Sequence, residues 1–306
     1  MSLHKRDILS VKDLTKEEIV KILELAKWYA AKGRTDHFKG KVAALCFFEP
    51  STRTFVSFDL AMKYLGGSTT GFQSAGATSI AKGESLQDTI KTIDSYGVDV
   101  IIMRHPQIGS AKTAADIAKS PVVNAGDGSN EHPTQSLVDL YTIQERKGDL
   151  NNLHIGVLGD LKNARTVHSL ILALSHFSPR FSFISPKELA IDDSYKEELK
   201  RKSIDFREVE NVNEVIGSLD VLYVTRLQKE RFETLEEYEK LKGSYNIGRS
   251  ILEGAKKDLI ILHPLPRIDE LSTELDAVEN AAYFQQTKDS IAVRQALLAL
   301  IFGVPS

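Results

Sequence analysis

The chain has 306 residues, 42% hydrophobic and 26% charged, with a formal net charge of −3. That length predicts two domains, and the balanced charge leaves no footprint for nucleic acid and no acidic tail. No run approaches the roughly eighteen apolar residues of a membrane span, and Met1–Ser10 lacks the apolar centre of a signal peptide, so the expected location is cytoplasmic.

Thr15-Lys-Glu-Glu18 reads as a capping box opening a helix with Ile19, Ile22, Leu25, Ala26 and Tyr29 on one face, closed near Gly33. Strands are predicted at 42–48, 68–72, 98–103 and 121–124, with helices near 54–65, 84–96, 112–119 and a longer one at 134–146. The pattern restarts with strands at 154–158, 181–185, 220–224 and 259–262, helices near 165–177, 194–202 and 234–242, and a last helix at about 289–301. Short apolar strands separated by helices point to parallel sheets covered on both faces. The expected fold is therefore α/β, with two doubly wound parallel-sheet domains joined by a long helix and the C-terminal helix returning to the first domain. The boundaries are drawn at 1–133, completed by 288–306, and 134–287, which includes the linking helix 134–146. Cys46, the single cysteine, lies in a strand pattern and reads as a small buried hydrophobe. No Cys/His cluster has metal-ligand spacing, and neither a metal nor another cofactor is expected.

In such sheets ligands bind beyond the carboxyl ends of the strands. Ser51-Thr52-Arg53-Thr54 stands where the first strand turns into a helix, so unpaired helical N–H groups, two hydroxyls and a forked cation meet at one point, as a phosphate requires. Ser and Thr there also read as helix N-caps. Arg104-His105-Pro106 and the run from Gly126 through His132 to Gln135 follow the next strands of the same edge. In the second half, Gly159 to His168, Thr225 to Arg231 and His263-Pro264-Leu265-Pro266-Arg267 occupy the corresponding places. Taken singly, each has a plain structural reading as a surface ion pair, a cap or a solvated face. Five such clusters at five strand ends besides that of Ser51 to Thr54, none needed for packing, point instead to ligands. Gly156-Val-Leu-Gly159 lacks a third glycine, and no acidic residue ends strand 181–185, so a nicotinamide cofactor is not expected.

With these motifs the chain resembles the aspartate carbamoyltransferase catalytic chains of the aspartate/ornithine carbamoyltransferase family, from Leu9 to about Leu300. The segments that carry the resemblance are Pro50-Ser-Thr-Arg-Thr54, Arg104-His-Pro-Gln107, Asn124 to Asn130, His132-Pro-Thr-Gln135, Gly159-Asp-Leu-Lys162, Arg165-Thr-Val-His168, Thr225 to Arg231, His263 to Arg267 and Arg294-Gln-Ala-Leu-Leu298. Ornithine-using relatives have a cysteine in the turn that here is His263-Pro264-Leu265-Pro266; Asn163-Ala164 departs from a common Tyr-Gly and leaves Arg165 in register.

The resemblance implies transfer of the carbamoyl group of carbamoyl phosphate to the amine of L-aspartate, the committed step of pyrimidine synthesis. It implies that Ser51, Thr52, Arg53 and Thr54 hold the phosphate, and that Arg104, His132 and Thr54 point donors at the carbamoyl oxygen. Gln135 and the carbonyls of Pro264 and Leu265 accept from the carbamoyl amide, while Arg165, Arg226 and Gln228, with Lys82 and Leu265, bind aspartate. Catalysis falls to Arg53, Thr54, Arg104 and His132, with no nucleophilic side chain. Ser74 to Gly83 reads alone as a mobile loop; by resemblance Ser79 and Lys82 reach a neighbouring subunit's phosphate site, implying a homotrimer with shared sites. Glu49 and Arg231, with Arg165, are candidates for holding a closed form of the domains. Separate regulatory chains are left open; no nucleic acid or membrane partner is expected. Two alternatives stand: a carbamoyltransferase for ornithine or another amino acid, against which the cationic second-half cluster argues, and a non-enzymatic anion-binding module.

Overall fold

The computed structural model describes residues 3–74, 76, 79–232 and 234–303. Val42–Phe47 (β1), the apolar run at the centre of the first sheet, pairs with Ser68–Phe72 (β2) on one side and Val100–His105 (β3) on the other; β3 pairs with Val122–Asp127 (β4). Every pairing is parallel and the order is β2-β1-β3-β4. Parallel neighbours need crossovers, which Thr52–Tyr64 (α2), Leu86–Ser95 (α3) and Ser110–Ala115 (α4) supply. Before them comes Lys16–Lys32 (α1), opened by the capping box predicted: Thr15 accepts from Glu18 N–H and Glu18 Oε2 accepts from Thr15 N–H at 2.9 Å. The core beside this sheet gathers Ala44, Cys46, Ile101, Met103 and Val122 against Ile90 and Ala111. Burial pushes the Cys46 thiol up to about 12, which leaves it inert.

The second sheet has five parallel strands in the order β7-β6-β5-β8-β9: His154–Leu158 (β5), Arg180–Ile184 (β6), Phe206–Val209 (β7), Val221–Val224 (β8) and Ile260–Leu262 (β9). Pro133–Lys147 (α5) precedes it, and Arg165–Leu174 (α6), Asp193–Arg201 (α7) and Leu235–Leu241 (α8) lie between its strands. Its core includes Leu158, Ile184, Leu219, Leu222, Val224 and Ile261. The last helix is Tyr283–Phe302 (α9). None of the described helices is long and apolar enough to cross a membrane.

The two parallel-sheet α/β layers match the expected fold class, with two differences of detail. The sequence reading missed β7, an edge strand whose Arg207 and Glu208 face water and whose apolar content is two half-buried residues. It also placed the start of α9 near 289, after the polar stretch Gln285–Lys288 that in fact lies within the helix. The chain forms two compact units, one holding everything up to Tyr141 and again from Lys288, the other Thr142–Thr287. The first division thus falls inside α5 and not ahead of it at 133. The reason is packing: Leu137, Val138, Leu140 and Asp139, in the first turns of α5, are fully buried and belong to the first unit.

Each sheet has one place where the chain order reverses. In the first it lies between β1 and β3, in the second between β5 and β8. Loops leaving the carboxyl ends of such a strand pair diverge and leave a crevice.

Candidate active site

At the first reversal, β1 ends in Phe48-Glu49-Pro50 and α2 begins at Thr52. Ser51 is extended (φ −158°, ψ 96°), and its side chain makes no cap hydrogen bond. The helix ladder starts with Phe55 N–H to Ser51 O at 3.0 Å, so the helix itself supplies nothing for the N–H groups of its first turn. Thr52 and Arg53 are exposed there, while Thr54 is 6% exposed.

Across the crevice, Arg104 stands beside Phe47 in register, and its carbonyl accepts from Phe48 N–H at 2.8 Å. The guanidinium is mostly buried and donates from Nη2 to Glu49 Oε1 at 3.3 Å, which ties the ends of β1 and β3 together. His132, buried, sits one residue before α5; its Nδ1 meets Thr134 Oγ1 at 3.3 Å, and its carbonyl accepts from Gln135 N–H at 2.9 Å. Pro133 opens the helix, where a missing N–H costs nothing.

Asp127 holds this edge in shape and was not singled out from the sequence. Its Oδ1 accepts from Asn124 Nδ2 at 2.9 Å, and its Oδ2 accepts from Asn130 Nδ2 at 3.0 Å and from Gly109 N–H at 2.9 Å. Ser79–Lys82 forms a single 3-10 turn with Lys82 exposed; the side chain of Ser79, and Ala75, Ala77 and Thr78, lie outside the described residues.

At the second reversal, Gly159 follows β5 with φ +120°, and a Cβ there would stand 2.0 Å from Thr225 O. Only glycine lets the two loops approach this closely. Asp160 joins them: fully buried, it accepts from Asn163 N–H at 3.0 Å and from Gln228 N–H at 3.2 Å. Burial pushes its carboxyl above the ordinary range, against the pull of those hydrogen bonds. Asn163, the departure from the common family pattern, thus has a use of its own in this loop.

Arg165 is the first residue of α6, 7% exposed, behind an extended Ala164 that offers no side-chain cap. Arg226 is half-buried, and its Nη1 donates to Leu227 O at 3.0 Å. Gln228 precedes the turn Lys229–Arg231, and Arg231 Nε is buried with no hydrogen-bond partner among the described residues.

The turn after β9 is set by His263. Its Nδ1 accepts from Leu265 N–H at 2.8 Å, which leaves the proton on Nε2 for donation to Glu270 Oε1 at 2.7 Å. Burial raises Glu270, but the bonds from His263 and from Ile268 N–H hold its carboxyl below the ordinary range. Leu265 lies in the left-handed region (φ +54°), and Leu265–Pro266 is cis. Pro264 and Leu265 are half-buried.

Each unit therefore carries its own predicted residues at the carboxyl edge of its sheet: Ser51 to Thr54 and Arg104 at the first reversal with His132 beyond the neighbouring β4, and Arg165, Arg226 and Gln228 at the second. Chemically, the first suits a phosphate with an adjacent carbonyl, and the second suits carboxylates. Asp127 and Asp160, the carboxylates that organise the two loops, lie inside segments marked from the sequence, which gave them no role of their own.

Comparison with known proteins also divides the chain in two. Residues 6–145 match the family model of the aspartate/ornithine carbamoyltransferase carbamoyl-P binding domain, and residues 151–301 match that of the Asp/Orn binding domain. The aspartate carbamoyltransferase catalytic subunit of Thermococcus onnurineus is 49% identical over 303 residues, 98% of this chain and 97% of the relative. Among solved structures, aspartate transcarbamoylase from Trypanosoma cruzi in complex with carbamoyl phosphate and aspartate is similar with a TM-score of 0.93 and 37% identity, covering 98% of both chains. The catalytic subunit of M. jannaschii aspartate transcarbamoylase matches with a TM-score of 0.88 and 47% identity, over 97% of this chain and 98% of that one.

Proposed function

The chain belongs to the aspartate/ornithine carbamoyltransferase family, and from that premise we propose how its residues divide the reaction. It transfers the carbamoyl group of carbamoyl phosphate to the amino group of L-aspartate, giving N-carbamoyl-L-aspartate and phosphate. One observation carries the division: at each sheet's reversal a helix starts without a side-chain cap and with an arginine in its first turn.

The phosphate seats on the first turn of α2, on Ser51, Thr52, Arg53 and Thr54, and Arg53 stabilises the charge that grows on the leaving phosphate. Arg104, His132 and Thr54 point donors at the carbamoyl oxygen, which becomes an oxyanion as the amine attacks; one such donor is worth about 3 kcal/mol of barrier. Gln135 and the carbonyls of Pro264 and Leu265 accept from the carbamoyl amide. Arg165, Arg226 and Gln228 take the carboxylates of aspartate, with Lys82 and Leu265 beside them. The attacking amine loses its proton to the departing phosphate. Glu49 and Arg231 act in retaining bound substrate, not in the bond exchange. The reading extends to a homotrimer in which Ser79 and Lys82 of a neighbouring copy complete the phosphate site, and to a cytoplasmic setting.

Purified chain supplied with carbamoyl phosphate and L-aspartate, L-ornithine or no acceptor tests the reaction, with phosphate and carbamoylated product followed together. Carbamoyl-aspartate in step with phosphate supports it; turnover with ornithine alone overturns the reading of Arg165, Arg226 and Gln228. The shared site is tested by mixing Arg53→Ala and Lys82→Ala oligomers after dissociation. Recovered activity is expected, and none in the hybrids removes the trimeric site.

A further inference from the structure

Below the first crevice lies a buried polar chain that the reaction as described leaves without a role. Gln135, in the first turn of α5, is half-buried, and its Nε2 donates to Asp139 Oδ1 at 2.8 Å, one helical turn on. Asp139 is fully buried. The cation acting on it is Arg294 of α9, 2% exposed, whose guanidinium lies 4.6 Å from the ring of Phe58 in α2. Burial pushes the Arg294 guanidinium down to about 9 while the negative charge of Asp139 opposes that shift, so the arginine is charged at neutral pH.

An ionised carboxylate accepts hydrogen bonds and donates none. The Gln135 amide therefore has one orientation open to it, with Nε2 turned inward to Asp139 and Oε1 left as the outward end of the side chain. Without a fixed partner the amide could present either end, since both orientations have the same shape. Oε1 is an acceptor, and the feature that separates a carbamoyl from an acetyl group is an NH2 in place of a methyl.

We propose that the buried Asp139 is a positioning residue for substrate choice: it locks the Gln135 amide with its oxygen outward, so that carbamoyl phosphate is selected over acetyl phosphate. The inference rests on the carbamoyltransferase reading and on Gln135 accepting from the carbamoyl amide. It gives a role to a buried carboxylate that touches no substrate. A site built to accept from an NH2 rejects the analogue that lacks it, because its acceptor is then left dry and unpaired.

The test is the ratio of kcat/KM for carbamoyl phosphate to that for acetyl phosphate, with L-aspartate as acceptor and N-carbamoyl- or N-acetyl-aspartate plus phosphate as products. D139L removes the acceptor, and D139L/R294M removes both buried charges together, so that no uncompensated arginine is left to unfold the chain. The ratio is expected to fall by about tenfold or more in either variant. Q135M should lower it equally in the wild type and not further in the D139L/R294M background. An unchanged ratio in a folded variant, or an equal fall from Q135M in both backgrounds, overturns the proposal. A measurement on the unmodified chain stands beside these: the Gln135 side-chain NH2 resonances, assigned by their loss in Q135M, should show one slowly exchanging orientation. Two interconverting orientations contradict it. An active wild type with an unchanged ratio defeats this inference alone, whereas a wild type inert toward carbamoyl phosphate defeats the functional reading beneath it.

Discussion

Two kinds of helix start contrast among the described residues. α1, α3, α7 and α8 are capped by Thr15, Ser85, Asp192 and Thr234, and each has an acidic residue in its first turn. α2 and α6 have neither a side-chain cap nor an acidic residue there, and carry Arg53 and Arg165 instead. Even the short α4, whose cap position is Gly109, is met by a carboxylate, because Asp127 accepts from Gly109 N–H. Carboxylates belong at the positive end of a helix dipole, and cations there are unfavourable by a few tenths to about 1 kcal/mol. A capped start is a local solution. An arginine-bearing, uncapped start is incomplete by itself and becomes favourable when an anion arrives, which is the basis for proposing a binding seat there.

The comparison can be pressed from both sides. Arg53→Ala should lower kcat by about 10²–10³-fold, the effect of removing one transition-state donor, with the unfolding midpoint unchanged or raised. Loss of stability with kcat intact would place Arg53 among the structural residues. Gly159→Ala comes next: the added methyl meets Thr225 O, and overpacking of this kind costs about 1–3 kcal/mol, read as a lower denaturant midpoint together with a higher aspartate KM. Arg165→Lys keeps the charge and loses the fork, and should raise aspartate KM by about tenfold with the carbamoyl phosphate KM little changed. Thr15→Ala is the control from the capped class, expected to lose about 1 kcal/mol of stability and no activity.

The smallest effect concerns pH. Glu270 is held below its ordinary value of 4.5 in the folded chain, so its contribution is fully present above that value and is lost as pH falls through the folded one. Glu270→Gln should flatten the acid side of a stability profile while leaving the neutral side nearly level. An acid limb as steep as that of the wild type would show that the His263–Glu270 pair does not carry it.

Most of the fold was readable because buried parallel strands and amphipathic helices announce themselves through local period. β7 was not, since its exposed Arg207 and Glu208 remove the apolar run that marks its neighbours. The candidate site residues at the loop tips stand out in the sequence as unusual chemistry at strand ends. Asp127, Asp139 and Asp160 do not, because a buried carboxylate and a surface one look alike until their partners, many residues away in some cases, are known. The place where α5 passes from one unit to the other is illegible for the same reason: the helical period continues unbroken while the packing partners change.

The central claim is that the uncapped, arginine-bearing start of α2 is an anion seat and the capped start of α1 is not. Calorimetric titration of inorganic phosphate into the wild type, Arg53→Ala and Thr15→Ala chains tests it most directly. The account predicts that Thr15→Ala binds as the wild type does and that Arg53→Ala loses about tenfold or more in affinity. Equal affinity in the wild type and Arg53→Ala, or a loss confined to Thr15→Ala, would contradict it.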